Sequence, residues 1–190
     1  MKVSIAGLIV AAGITVAAVQ PPKPAPKPAA APAAKAGPAP VLTLETVKGT
    51  IEIETFPEDA PKTVAHIVAL AKKNFYNGQR FHRAEENFLV QVGDPQSRDM
   101  SREAWWGRGA GSGNPIGVAE ITKKRRHAPG TVAMAHSGDP KFADSQFYIV
   151  MQPRPGLDGK YTIFGRVTSG MEVVKKLRRT DILKKVSVKE

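Results

Sequence analysis

From Val41 onward, apolar and polar positions follow two periods, two residues for strands and about 3.6 for helices. Leu42, Leu44 and Thr46 alternate, Lys48-Gly49 supplies a turn, and Ile51 and Ile53 alternate again, so Val41 to Phe56 predicts a hairpin. Asp59 is placed to cap a helix and Pro61 suits its first turn. Val64, Ile67, Val68 and Ala71 recur at helical spacing, with Asn77-Gly78 as the stop and His66 on the outer side, at the surface. Phe81 to Val92 predicts one or two strands, with Phe88, Val90 and Val92 on one face and Leu89, Gln91 and Gly93 on the other. Gln96 to Gly117 breaks both periods and reads as a long loop. Short apolar strands follow at Gly130 to Ala135, Gln146 to Met151 and, after the Leu157-Asp158-Gly159-Lys160 turn, Ile163 to Val167. Gly170 to Arg179 predicts a helix with Met171, Val174 and Leu177 inward, and Ile182 to Val188 a last strand. About eight short strands and two helices, one early and one late, indicate an antiparallel β-barrel or sandwich with helices at its ends.

The segment before Val41 is different material. Met1-Lys2 leads into an uncharged, mostly apolar run from Val3 to Val19, so residues 1–19 predict a secretory signal peptide or an N-terminal membrane anchor. Val16 and Ala18 fit the small-residue rule for cleavage after Ala18. Gln20 to Pro40 holds 8 of the chain's 16 prolines, with Ala and three Lys and no large apolar residue, so residues 20–40 predict a disordered linker. Extended polyproline II at about 3.1 Å per residue would let ~20 residues reach ~60 Å. The globular part is then 41–190, in a protein expected to be exported to the periplasm or cell envelope, or secreted, and tethered to a membrane if residues 3–19 stay attached.

The chain has 190 residues, a net charge of +11 and no cysteine, which excludes disulfides and thiol chemistry. Four of the 28 basic residues and no acidic one precede residue 41, so the rest, with 17 acidic residues, carries +7. That balance favours anionic neighbours without choosing among them. Lys123-Lys124-Arg125-Arg126-His127 is the densest basic run and reads as a solvated loop. Trp105-Trp106 beside Arg102 and Arg108 could stack on bases or a peptide; the plainer reading is a lid that tucks one Trp onto the domain. The four histidines show no metal-ligand spacing, and His82 reads as a packed core residue.

One stretch carries candidate chemistry. Phe81-His82-Arg83 and Phe88-Leu89-Val90-Gln91-Val92-Gly93-Asp94 place one Arg and one Gln in an apolar run. A guanidinium and an amide beside an apolar wall would suit a neutral, partly apolar ligand. From these residues alone, a snorkelling Arg and a Gln on a solvated strand face are the favoured reading.

This stretch resembles the cyclophilin-type peptidyl-prolyl isomerases. The resemblance continues, in order, through Pro61-Lys62-Thr63-Val64-Ala65, Gly130 to Ala135, Ser145-Gln146-Phe147-Tyr148-Ile149 and Leu157 to Val167, covering about residues 41 to 190. It implies a mainly β fold, a closed eight-stranded antiparallel barrel capped by two α-helices. It also implies an enzyme that rotates X-Pro bonds. The family's catalytic Arg falls on Arg83 and its substrate-gripping Gln on Gln91. Its apolar proline pocket falls on Phe88, Leu89, Tyr148 and Leu157, its backbone-binding pair on Ala135 and His136, and its groove-lining Gln on Gln146. His136 stands where Asn is usual, Gly156 where many members carry Trp, and Tyr161, at the pocket edge, where His is common. No metal or cofactor is implied. The expected partners are proline-containing polypeptides, not nucleic acid, and the expected state is a monomer. A cyclophilin-like peptide-binding or chaperone module with little catalysis is the alternative reading.

Overall fold

A computed structural model describes residues 38–109 and 111–190. The Val3 to Val19 run and most of Gln20 to Pro40 therefore lie outside the described residues. The chain order is β1 (Val41–Thr46), β2 (Gly49–Thr55), α1 (Pro61–Lys72), β3 (Gln79–Arg80), β4 (Arg83–Glu85), β5 (Leu89–Val92), β6 (Thr131–Met134), β7 (Phe147–Val150), β8 (Ile163–Ser169), α2 (Met171–Lys176) and β9 (Ile182–Lys189). The strands form one antiparallel sheet in the order β3-β9-β1-β2-β8-β6-β7-β5-β4.

The sheet is curled and open, with nine strands, where a closed eight-stranded barrel was expected. Its two edges, β3 and β4, are successive pieces of one chain. β3 pairs with β9, β4 pairs with β5, and only Phe81 and His82 connect them. Phe81 extends the pairing to the β9 side, its N–H donating to Asp181 O while its carbonyl accepts from Thr180 N–H. The link between the edges is thus covalent and not a hydrogen-bonded ladder.

The first hairpin forms as predicted, with Leu42, Leu44, Ile51 and Ile53 fully buried. α1 buries Val64, Ile67, Val68 and Ala71 on the same core, and α2 adds Val174, with Leu177 buried just after its end. Two local expectations change. α1 ends at Lys72, before Asn77-Gly78, and its N-terminus is not capped by Asp59. Glu120, far along the chain, accepts from the Lys62 and Thr63 N–H groups at 2.9 and 2.8 Å, while Asp59 pairs with Arg125 at 2.7 Å. His66 is mostly covered, 3.2 Å from Asp144, so it is not a surface residue.

Strands β5, β6 and β7 explain how the core and the site share one sheet. Val90, Val92, Val132, Met134, Phe147 and Ile149 face the main core. The alternate residues Leu89, Ala133, Tyr148 and Val150 form a second apolar cluster on the opposite face. Such strands read as continuous apolar runs because both faces are covered. Phe88 packs with this second cluster, not on the Val90 face as its spacing suggested. The strand begins only at Leu89, and Asn87 before Phe88 is left-handed (φ 57°), so the alternation does not extend back to Phe88. Gly93 ends β5 at φ +114°, where a Cβ would lie 2.2 Å from Ser145 O, so only glycine fits.

Candidate active site

The second apolar cluster floors a cavity of about 590 Å³ at the β4–β5 end of the sheet. The cross-strand register assembles it. Arg83 on the edge strand lies opposite Gln91, and Gln91 lies opposite Tyr148 on β7. Directly opposed residues on three neighbouring strands thus set guanidinium, amide and phenol side by side on one sheet face. Of the expected site residues, Arg83, Phe88, Leu89, Gln91, Ala135, His136, Tyr148, Leu157 and Tyr161 all line this cavity. Gln146 lines a neighbouring cavity of about 250 Å³, and accepts on Oε1 from Gln91 Nε2 at 3.0 Å. Gly156 leaves the rim beside Leu157 open, because it is exposed and carries no side chain.

Arg83 is half-exposed at the mouth. Its Nε–H donates to Glu85 Oε1 at 2.6 Å, and its guanidinium carbon lies 5.4 Å from the Phe88 ring centre. Arg154 approaches the same ring at 4.6 Å. An aromatic ring near two guanidiniums is held by cation–π attraction as well as by burial.

The far wall is built from aromatic rings. Tyr148 and Tyr161 pack edge to face at 5.6 Å, and His136 tilts onto Tyr161 at 4.6 Å. His136 Nε2 donates to Lys160 O at 3.1 Å. Behind Tyr148 runs a buried chain of polar groups. Asp158 Oδ1 accepts from the His127 backbone N–H at 2.8 Å and from its Nδ1 at 2.9 Å. That leaves His127 Nε2 as the acceptor for the Tyr148 hydroxyl at 3.0 Å. The hydroxyl is satisfied away from the cavity, so the ring presents an apolar face to it. Burial raises the Tyr148 phenol well above its ordinary value. Burial alone would raise Asp158, but the hydrogen bonds from His127 and Arg126 outweigh it and hold the carboxyl below its usual range.

Three lining residues escaped the sequence reading of the site: His82, Trp106 and Gly107. Trp106 is buried, its Nε1–H donating to Gln96 O and Asp99 O at 3.1 and 3.2 Å, while Trp105 points outward, 60% exposed. The two tryptophans therefore form no joint stacking surface, and the segment that carries them tucks one ring against the site. It is less irregular than expected, with 3-10 turns at Pro95–Arg98 and Met100–Trp105 capped by Asp94 and Asp99. His82 is buried beside Arg83, and burial, against the opposing pull of Asp94, lowers its pKa from 6.5 to about 4. The residue next to the guanidinium is thus a neutral imidazole at ordinary pH. Adjacent tryptophans before a glycine give no periodic signal of which ring turns inward, and neither does a histidine between Phe81 and Arg83, so only tertiary contacts could reveal these three.

The basic run of residues 123–126 is partly neutralised. Arg125 pairs with Glu58 and Asp59, each at 2.7 Å, and Lys124 and Arg126 reach Asp59 and Asp158. Among the described residues, no group of three or more His, Asp or Glu is placed to hold a metal ion, and no helix is long and apolar enough to cross a membrane.

Comparison with known proteins places this architecture. The family profile described as "Cyclophilin type peptidyl-prolyl cis-trans isomerase/CLD" matches residues 41–190. An Arabidopsis thaliana protein named "Peptidyl-prolyl cis-trans isomerase CYP18-2" is 38% identical over 142 residues, 74% of this chain and 82% of that protein. "Peptidyl-prolyl cis-trans isomerase B" of Bacillus subtilis is 38% identical over 138 residues, 73% of this chain and 90% of that protein. Among solved structures, a Cryptosporidium parvum cyclophilin-type isomerase, determined in the presence of the dipeptide Ala-Pro, superposes with a TM-score of 0.68 at 25% identity. That match covers 79% of this chain and 99% of the other.

Proposed function

The chain belongs to the cyclophilin-type peptidyl-prolyl cis-trans isomerase family, and we propose that it turns over X-Pro bonds of polypeptides in the cell envelope by non-covalent electrostatic catalysis centred on Arg83. The observation that carries this reading is Arg83 facing Gln91 across β4 and β5, at the mouth of a cavity floored by Leu89 and Tyr148.

An X-Pro bond resists rotation by ~18–20 kcal/mol because the nitrogen lone pair is delocalised into the carbonyl. Uncatalysed exchange takes tens to hundreds of seconds. No bond is made or broken, so the enzyme need only bind the twisted state more tightly than either planar one. In the twisted state the lone pair returns to nitrogen, and a fixed donor aimed at it is worth more there than in the ground state. Arg83 suits this role because a guanidinium is charged at every working pH and donates without transferring a proton. The apolar ring faces of Phe88 and Tyr148, with Leu89, Leu157 and Tyr161, hold the proline ring. Gln91, steadied by Gln146, and the backbone at Ala135 and His136 hold the flanking peptide while the other side rotates. Neutral His82 adds no competing cation beside the guanidinium.

Exchange spectroscopy on an Ala-Pro test peptide, the dipeptide present in the Cryptosporidium structure, tests this. Accelerated cis/trans exchange at substoichiometric enzyme is expected. The open rim at Gly156 supports a second reading, a peptide-binding module, which binding without acceleration would establish.

The address is also part of the proposal. The apolar run of residues 3–19 and the proline-rich segment after it support export, with a monomeric isomerase domain released or held off a membrane. The N-terminal residue of the mature protein, read together with its membrane or soluble fraction, distinguishes the two. Recovery of the uncut chain from the cytoplasm would overturn export.

A further inference from the structure

We infer that Glu85 is a positioning residue for catalysis, holding the Arg83 guanidinium over the proline site. The inference rests on the isomerase reading and adds a residue to its machinery. Glu85 follows Arg83 by two on β4, so both side chains leave the same face of the edge strand, the face that carries Leu89 and Gln91 opposite them. The 2.6 Å bond uses the Arg83 Nε–H, so the two terminal amino groups remain to be turned toward the substrate nitrogen.

The base on which Glu85 stands is itself fixed. Its carbonyl accepts from Phe88 N–H at 3.0 Å across the β4–β5 turn. The turn is gripped from outside by Arg154, whose Nη2 donates to Asn87 O at 2.6 Å, and by Met151 N–H on Phe88 O at 2.8 Å. Phe88, held in that turn, also lies under the guanidinium. A carboxylate on one side and a ring beneath therefore restrain a side chain with four rotatable bonds at the edge of a sheet. Without them the guanidinium would spread over many solvated rotamers, and each departure from the productive one would lower the rate.

Because both partners are more than two-fifths exposed, the pair adds little to stability, and a variant at Glu85 folds normally. Its effect is read in turnover. Glu85→Ala is expected to lose about 3- to 10-fold in kcat on a neutral Ala-Pro peptide, with KM nearly unchanged and the same thermal midpoint. Glu86→Ala, which removes the neighbouring exposed carboxylate, stays within about twofold of the parent, since a general field effect of this size is screened. The advantage of the parent over Glu85→Ala shrinks at 1 M salt, where the screening length is ~3 Å. The Arg83 Nε–H relaxation order parameter falls in Glu85→Ala alone. Equal or faster turnover in Glu85→Ala, or an unchanged Arg83 order parameter, overturns the inference. If the parent itself shows no isomerisation, the isomerase reading fails instead, while the order parameter still reports whether Glu85 holds Arg83.

Discussion

His82 shows how a single residue ties the site to stability. It is buried between Arg83 and Gly107, and burial lowers its pKa from 6.5 to about 4. Between those values the unfolded chain binds a proton that the folded chain does not, so stability rises with pH across the window. Stability is unaffected above about pH 6.5 and declines as pH falls toward 4, the total loss being on the order of 3 kcal/mol. Urea unfolding at pH 7.5, 6, 5 and 4.5 should show the decline, and His82→Gln should flatten it relative to the parent. A parallel decline in both proteins would refute the assignment. From the sequence, His82 was legible as a packed residue but not as a wall of the cavity. Phe81-His82-Arg83 shows three adjacent side chains, and only the edge-to-edge link of the sheet turns two of them toward one space. Glu85 was invisible for a related reason, since a carboxylate two residues from an arginine reads as an ordinary solvated pair.

The strands were largely legible because their burial is periodic. Leu42, Leu44, Ile51 and Ile53 alternate in sequence and in space, and the hairpin follows. β6 and β7 were legible as strands but not as two-faced ones, because alternation vanishes when both faces are apolar. On their outer face, Tyr148 became recognisable as part of a pocket only through the family resemblance. Contacts between distant residues were not legible. The cap of α1 comes from Glu120, nearly sixty residues downstream, and local spacing pointed to Asp59 instead. The Asp158–His127–Tyr148 chain has the same character. Its members belong to a basic run, a strand and a turn, and nothing in any one of them announces the others. It fixes the Tyr148 ring because a buried hydroxyl without its acceptor would cost about 1–3 kcal/mol.

At the scale of the whole molecule, the open sheet explains the position of the site. The edge strand β4 has one hydrogen-bonded neighbour, β5, and its first residue, Arg83, lines the cavity. That gives Arg83 access to a polypeptide while β5, β6 and β7 supply a floor braced by the main core. Rigid floor and reachable donor are what a reaction needs when its whole barrier is rotation about one bond. The measurement that tests this most directly is cis/trans exchange of an Ala-Pro peptide with Arg83→Ala beside the parent protein. Both should share one thermal midpoint, because Arg83 is exposed and its loss opens no cavity. The account predicts that kcat/KM falls about 10²- to 10³-fold, as for the loss of a donor to developing charge. An Arg83→Ala variant that is folded and turns over the peptide at the parent's rate would contradict it.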